Sequence, residues 1–140
     1  MSSPYSPSLS ASTASVLLSA AEKAAAARGI ACSISIVDGS GQLCAFLRMD
    51  GAALAGIKLS LSKARCSVAV GGHSTAALAG QLASDPALVV GLAVGGGLTL
   101  LPGGEPLHRD GVLLGAIGVS GVAADSDVAI ATDALVATTT

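Results

Sequence analysis

The stretch from residue 34 to residue 75 restricts the fold of this chain more than any other part of its sequence. Two short apolar runs, Ile34–Val37 and Leu43–Leu47, are separated by a glycine-rich segment at residues 38–41. This arrangement predicts a β-hairpin. A charged corner, Arg48-Met49-Asp50-Gly51-Ala52, comes next, and a long Ala/Leu/Lys pattern typical of a helix follows it. The sequence therefore predicts a hairpin that leads through a polar corner into a helix.

The rest of the chain has helix and strand patterns on both sides of this unit. An alternation of Ser and Ile in the first strand indicates one exposed and one buried face. The order α-β-β-α-β-β-α predicts an α+β fold in which helices flank an antiparallel sheet. Predicted helices are Ser10–Arg28, Ala52–Val70, Thr75–Leu82 and Ser126–Val136, and predicted strands are Ala31–Asp38, Leu43–Arg48, Leu98–Leu101 and Val112–Ser120, with a turn at residues 102–106.

Length and composition predict one domain that associates with copies of itself. The chain has 140 residues, which suits a single domain at 10–140, and the Ser/Pro-rich residues 1–9 are expected to form a flexible arm. Hydrophobic residues make up 51%, aromatic residues 1% and charged residues 11%. A chain this apolar and this poor in charge is expected to bury further surface in subunit contacts, so we expect a homo-oligomer.

Charge and hydropathy argue against two classes of partner. The net charge is −2, the basic residues are scattered, and there is almost no aromatic residue to stack on bases, so nucleic-acid binding is not expected. Glycines interrupt the apolar runs before they reach membrane-spanning length, so no membrane span is expected. The N-terminal residues do not resemble a secretory signal, and the expected compartment is the cytoplasm.

The charged corner has two interpretations, which do not exclude each other. In the structural one, Arg48 pairs with Asp50, or Asp50 caps the following helix. In the functional one, Arg48 holds a ligand carboxylate through its two-pronged guanidinium, and backbone N–H groups of a helix that begins near Gly51 and Ala52 add to the anion site.

Proton-transfer groups are few, and each also has a structural interpretation. His73 lies in a Gly-Gly-His-Ser-Thr loop and is a candidate general base or metal ligand, although a lone histidine is more often structural. Lys63 lies in an apolar stretch and is a candidate anion contact or proton-transfer group. Asp38 is a candidate for the same chemistry, but it also suits a turn cap. His108 is expected to be solvated, and Asp125 and Asp127 either cap the last helix or face a pocket.

Five separate motifs run along the chain between about residue 11 and residue 135. They are Ile36-Val37-Asp38-x-x-Gly41-x-Leu43, Arg48-Met49-Asp50-Gly51-Ala52, Lys63-Ala64, Gly95-Gly96-Gly97-Leu98 and Gly115-Ala116-Ile117-Gly118-Val119-Ser120-Gly121. In this order they resemble the GlcG/HbpS family, which includes a haem-binding domain at the C-terminus of some cobalamin adenosyltransferases. The resemblance implies a profilin-like α-β-α fold and assembly into dimers or larger rings. Some members bind haem or related tetrapyrroles, and some bind iron.

The resemblance implies a small-ligand site, with haem as the cofactor and His73 as a candidate axial ligand. The chain departs from the family after Lys63-Ala64, where the usual aromatic is missing and His73 replaces a bulky or basic residue. The alternative function is a cofactor-free isomerase or lyase acting on a carboxylate-bearing metabolite, with Arg48 as anchor and His73 or Lys63 as the proton-transfer group. The residues leave open whether the chain is an enzyme. The expected ligand-binding residues are Arg48, Met49, Asp50, Gly51, Thr75, Gly96, Gly97 and Gly118.

Overall fold

The computed structural model describes residues 4, 5 and 8–139 of the chain. Its helices are α1 (Ala11–Ala27), α2 (Ala55–Ala69), α3 (Thr75–Leu82), α4 (Pro86–Val90) and α5 (Ala124–Thr139), and a π-helix at Gly91–Gly95 continues α4. The strands are β1 (Ser33–Asp38), β2 (Leu43–Arg48), β3 (Gly104–Arg109) and β4 (Val112–Ser120). They form one antiparallel sheet in the order β2-β1-β4-β3, which confirms the α+β prediction.

Helices α1 and α5 pack together over one face of the sheet, where the main core lies. The first helix forms as predicted: Ser10 Oγ accepts a hydrogen bond from Thr13 N at 3.1 Å, and Gly29 follows the helix with a φ of 67°. The helices and this face of the sheet bury aliphatic side chains against each other. The largest fully buried ones are Leu17, Ile34, Ile36, Ile117, Val119 and Ile130.

Helix α2 covers the opposite face, which is lined by small residues. Ser33 and Ser35 alternate with the core isoleucines of β1 and are fully buried, so the prediction that this serine face is exposed was wrong. Ser35 Oγ lies 2.7 Å from Ser60 Oγ of α2. Gly118 of β4 lies against the backbone of α2, where an added Cβ would be 2.7 Å from Ala64 N and closer still to Ser60 O. Small side chains bring α2 within backbone contact of the sheet, and this closeness buries the serines.

The segment between α3 and β4 differs most from the prediction. Residues 98–101 form no strand, and the predicted turn at 102–106 lies partly in β3. Pro106 is compatible with this strand because β3 is an edge of the sheet, where a missing N–H removes no necessary ladder bond. Residues 86–95 were not predicted to be helical because glycines interrupt their apolar pattern.

The N-terminal segment contacts the domain where the structure describes it. Leu9 is buried in the core, and Ser8 Oγ accepts a hydrogen bond from Gly39 N at 2.8 Å. Residues 1–3, 6 and 7 of the predicted arm lie outside the described residues. Within the described ranges, no helix is both long and apolar enough to cross a membrane.

Candidate functional site

The described residues enclose an open, apolar groove of about 780 Å³. It lies between α3, the α4/π-helix segment and the irregular residues 98–101, and we call it the apolar groove. The π-helix contributes to its wall, and π segments occur frequently at functional sites. The lining consists of Ala79, Ala83, Pro86, Val89, Val90, Ala93, Leu98, Thr99, Leu100 and Leu101.

The groove stays open because α4 and the π-helix pack mainly on α3 and on each other. Residues 86–104 contain no charged residue, and Val90 and Val94 are 58% and 81% exposed. The wall formed by residues 98–101 is held in place by Thr75. Its buried hydroxyl donates a hydrogen bond to Leu101 O at 2.7 Å and accepts one from Gly104 N at 3.0 Å. Thr75, a predicted ligand-binding residue, thus anchors the groove's wall rather than lining the groove.

A buried ion pair joins Lys63 of α2 to Asp127 in the first turn of α5. Lys63 Nζ donates to Asp127 Oδ2 and to Val119 O, both at 2.9 Å, and the two side chains are only 4% and 6% exposed. Asp127 Oδ1 accepts from Gly121 N at 2.8 Å. A cavity of about 200 Å³ adjoins the pair. The ammonium of Lys63 is therefore engaged by protein groups, and its predicted contact with a ligand stays a prediction.

The two histidines flank the glycine pair that ends α2. The His73 ring lies 4.0 Å from the position that a Cβ on Gly71 would take, and His108 Nε2 lies 2.8 Å from the equivalent position on Gly72. Both imidazoles are exposed, and neither makes a side-chain hydrogen bond within the described residues. Neither lines the apolar groove, so His73 is exposed to a ligand at the surface but does not face that groove.

At the charged corner, the structure contradicts both structural interpretations of Arg48 and Asp50. The Arg48 side chain is exposed and makes no hydrogen bond or ion pair within the described part of the chain. Asp50 does not cap α2; it lies in a turn closed by Ala52 N and Met49 O at 3.0 Å, with Gly51 at a φ of 84°. The next helix begins at Ala55, three residues later than predicted.

Met49 supports the structure of this corner, and Asp38 supports the hairpin turn at the other end of β1 and β2. Met49 is half-buried against the core, with its sulfur 3.8 Å from Cys32 Sγ. Asp38 Oδ1 accepts hydrogen bonds from Ser40 N and Gln42 N at 2.9 and 3.0 Å, so the carboxylate holds the hairpin turn. The turn-cap interpretation of Asp38 is confirmed, and its catalytic role stays a prediction.

The remaining predicted glycines occupy two different places. Gly96 and Gly97 end the π-helix beside the groove, where Gly97 has a φ of 65°, while Gly118 lies beneath α2. The predicted site residues thus form separate groups: one at the corner, one between α2 and the sheet and one beside the groove, while Asp38 in the hairpin turn and His73 each lie apart. Sequence reasoning did not identify Asp127 as the partner of Lys63. The position of Lys63 in an apolar helix was the signal that could have indicated such a partner, since a buried ammonium requires an acidic group beside it.

Among the residues that the structure describes, burial raises the pKa of one carboxyl group and three thiols. It raises the pKa of Glu105, although a hydrogen bond from Ser74 Oγ at 2.9 Å opposes the change. Burial, with a smaller contribution from the Asp127 carboxylate, raises the pKa of Cys32 to about 11. Burial also raises the pKa of Cys44 and Cys66. All three cysteines are free thiols that are protonated at neutral pH, so none is poised as a nucleophile.

The fold and the groove define a small α+β domain of the profilin-like type with an open apolar cavity. The chain belongs to the HbpS-like family: residues 9–136 match the family described as haem degrading protein HbpS-like. This confirms the resemblance seen in the motifs. No curated protein matches the chain by sequence.

Solved structures agree with this assignment. A crystal structure of a PduOC:haem complex is 30% identical, covers 92% of this chain and 94% of its own, and has a TM-score of 0.83. The Klebsiella pneumoniae protein ORFY is 25% identical over 99% of this chain and 96% of its own, with a TM-score of 0.86. A double mutant of Streptomyces reticuli HbpS is 29% identical over 96% and 89%, with a TM-score of 0.82.

Proposed function

We propose that this chain binds haem or a similar tetrapyrrole, and that the apolar groove takes the macrocycle. The groove carries the proposal: its volume of about 780 Å³ lies within the usual range for small-molecule sites, and its walls are almost entirely aliphatic. A tetrapyrrole has two broad apolar faces, which such walls suit. The similarity to a protein crystallised with haem supports the same ligand class.

The groove suits the macrocycle better than it suits the iron. Its lining has no His, Cys, Met or Tyr, which are the usual axial ligands. An iron ligand must therefore come from outside the lining, and His73 is our candidate because its imidazole is exposed and makes no hydrogen bond within the described residues. Because His73 is not part of the lining, its role as iron ligand can be tested separately from binding in the groove.

A haemin titration tests the proposal. The wild type should give a saturable Soret shift. Val90→Asp places a carboxylate in the groove lining at a site that is already 58% exposed, so it should weaken binding without unfolding the domain. Val16→Asp is the matched control, since Val16 is 55% exposed on α1, outside the groove. The absence of a saturable shift in the wild type contradicts haem binding. Equal weakening by both variants contradicts the groove.

The iron ligand is tested separately with His73→Ala and His108→Ala. If His73 binds the iron, its removal should change the position of the Soret band, and the His108 variant should keep the wild-type spectrum. An unchanged spectrum in the His73 variant refutes that ligand while leaving binding in the groove intact.

The isomerase or lyase alternative receives no support from the family or from the geometry. Asp38 holds a turn, Lys63 is engaged by Asp127 and Val119, and His73 lies apart from both. We therefore propose ligand binding without a catalytic role for these three residues. Gly96 and Gly97 remain proposed contacts through their position at the end of the π-helix beside the groove.

A further inference from the structure

Strand β2 is an open edge of the sheet. The strand order β2-β1-β4-β3 leaves its outer side without a neighbouring strand among the described residues. Met49 N donates to Cys32 O at 3.0 Å, so the backbone of Met49 faces β1. Hydrogen-bonding directions alternate along an antiparallel strand, and Phe46 and Arg48 therefore direct their N–H and C=O groups away from β1. Outward backbone groups of this kind are a template for an added strand.

The other edge of the sheet, β3, is a poorer template than β2. Pro106 in β3 has no N–H group, and the register of β3 shifts after Leu107. Strand β2, with the sequence Leu-Cys-Ala-Phe-Leu-Arg, has no proline and no acidic residue, and its residues are exposed or half-buried. The one irregularity between β1 and β2 lies at the turn end, so Phe46 and Arg48 stay in regular pairing. The fold thus leaves β2, rather than β3, able to take a further strand.

Basic side chains border this open edge. Arg65 of α2 lies beside the hairpin turn, where its Nε donates to Gly41 O at 3.0 Å. Lys58 is two helical turns before Arg65 and is therefore on the same side of α2. Arg48 on β2 is on the face that α2 covers, because it pairs with Ser33, which is buried beneath α2. We call Arg48, Lys58 and Arg65 the basic flank.

Within the described residues, no acidic group neutralises the basic flank. Its three side chains are exposed, and none of them forms an ion pair there. Helix α2 contains no acidic residue. Asp50 lies in the turn beyond β2, and the Asp38 carboxylate at the other end of the strand already accepts two hydrogen bonds. The edge is thus locally positive on a chain with a net charge of −2, and it favours an acidic partner.

We propose that β2 binds an extended acidic segment of a partner protein, which adds to the four-stranded sheet as a fifth strand and directs alternate acidic side chains at the basic flank. Backbone hydrogen bonds to Phe46 and Arg48 supply affinity, and the basic flank selects the side chains on one face of the added strand. A cavity of about 220 Å³ lined by Arg65 and the hairpin turn has room for one such side chain.

A second copy of this chain fits the edge less well than an acidic segment does. Two β2 strands paired with each other would bring two basic flanks together, and like charges across a strand pair are destabilising. The surface is also separate from the apolar groove, with which this cavity shares no lining residue, so the proposal does not depend on haem binding.

A synthetic peptide of about ten residues that alternates valine and glutamate tests this surface. In a titration followed by backbone amide chemical shifts, the signals of residues 43–48 should move and saturate. A peptide that alternates valine and lysine should not saturate. Absence of saturation with the glutamate peptide overturns the surface, and saturation with the lysine peptide overturns the acidic partner. Signals of residues 43–48 that change with protein concentration before peptide is added assign β2 to a second copy and also overturn the proposal.

Methylation of the peptide backbone separates strand addition from attraction between charges alone. Peptide residues opposite Phe46 and Arg48 share their face and hydrogen-bond to them, and these are the glutamates. N-methyl groups on the glutamates keep the charge but remove those donors, so this peptide should bind at least about tenfold more weakly. Equal affinity for the methylated and unmethylated peptides overturns strand addition.

Variants of the protein test the two components of the surface. Lys58→Glu should weaken binding of the glutamate peptide about threefold or more. Lys23→Glu, at an exposed position on α1, changes the net charge equally and should bind as the wild type does. Phe46→Pro removes an outward N–H group, as Pro106 does in β3, and should weaken binding while circular dichroism shows a folded domain. Equal affinities in the two lysine variants overturn the basic flank, and wild-type affinity in a folded Phe46→Pro overturns the edge. If Phe46→Pro does not fold, the methylated peptide decides the same point.

Discussion

The buried ion pair between Lys63 and Asp127 allows the sharpest test of how this domain is held together. Asp127→Asn keeps the shape of the side chain but removes its charge. In the wild type, the two oxygens of the Asp127 carboxylate accept hydrogen bonds from Lys63 Nζ and Gly121 N. An asparagine that keeps the bond to Gly121 directs its NH₂ group at the ammonium of Lys63, so two donors face each other.

The magnitude follows from burial. With side-chain exposures of 4% and 6%, both charges lie in a low-dielectric environment, and removing one partner leaves the other without compensation. Such a change lowers the free energy of unfolding by about 3–5 kcal/mol. In a chain of this length, this corresponds to a fall in melting temperature of about 9–15 °C.

The surface pair Arg28–Asp133 is the matched control. Its nitrogen and oxygen are 2.7 Å apart, closer than in the buried pair, but its side chains are 33% and 53% exposed. Asp133→Asn should therefore change the free energy of unfolding by less than about 1 kcal/mol. Contact distance alone would rank the two pairs in the opposite order.

Urea unfolding monitored by circular dichroism measures both variants, with an unchanged slope as the check on two-state behaviour. The double variant Lys63→Met/Asp127→Leu completes the test. It leaves no unpaired charge but removes the acceptor of Gly121 N, so it should recover part of the stability lost in Asp127→Asn. A loss below about 1 kcal/mol in Asp127→Asn would refute the reasoning, because it would mean that Lys63 is solvated without its partner.

The remaining predictions concern packing, titration and assembly. Gly118→Ala should lower the free energy of unfolding by about 3 kcal/mol or more, because its Cβ meets the backbone of α2. Gly80→Ala, with no atom within 4 Å of the new Cβ, should instead raise it by up to about 1 kcal/mol; similar urea midpoints for the two variants would contradict this account. Burial raises the pKa of Glu105, so the folded protein holds that proton more tightly than the unfolded chain does. The resulting stability is present below the ordinary pKa of 4.5 and is lost as the pH rises through the raised pKa. Melting curves of Glu105→Gln should lack this part of the decline, and a pH profile parallel to that of the wild type would be inconsistent with it. We also propose that the chain self-associates, since apolar side chains such as Leu54, Val94 and Val122 are 71%, 81% and 80% exposed. Light scattering should give a mass above that of the 13.3 kDa chain, and a monomer mass over a wide concentration range would exclude association.

Local patterns determined most of the secondary structure. Strands β2 and β4 and helix α3 lie at the predicted residues, and α1 differs by its two caps. These segments carry clear periodicity and clear glycine or cap signals, so neighbours in sequence are sufficient to specify them. The prediction of secondary structure failed between residues 83 and 106. This apolar, glycine-rich segment suits several conformations, and its contacts with α3, including the hydrogen bond from Thr75 to Leu101 O, decide between them.

The candidate sites could be predicted only in part. Arg48 was recognised because a guanidinium at a strand end is conspicuous in a chain with seven basic residues. The burial of Ser33 was not predicted, because an alternating Ser/Ile strand indicates a solvated serine face. Only the position of α2 shows that this face is buried and that one hydroxyl there has no partner among the residues described. Likewise, Lys63 and Asp127 are 64 residues apart, and no local pattern relates them.

The sequence by itself thus determined the α+β class, the hairpin and its turn, the family and the position of the charged corner, because each depends on residues close together in the chain. The tertiary structure decided which side of β1 is covered, where the apolar groove opens, which carboxylate neutralises Lys63 and where α2 begins. These features depend on how closely α2 approaches the small residues of the sheet and on how loosely α4 packs. Such distances are set by contacts between segments far apart in the chain.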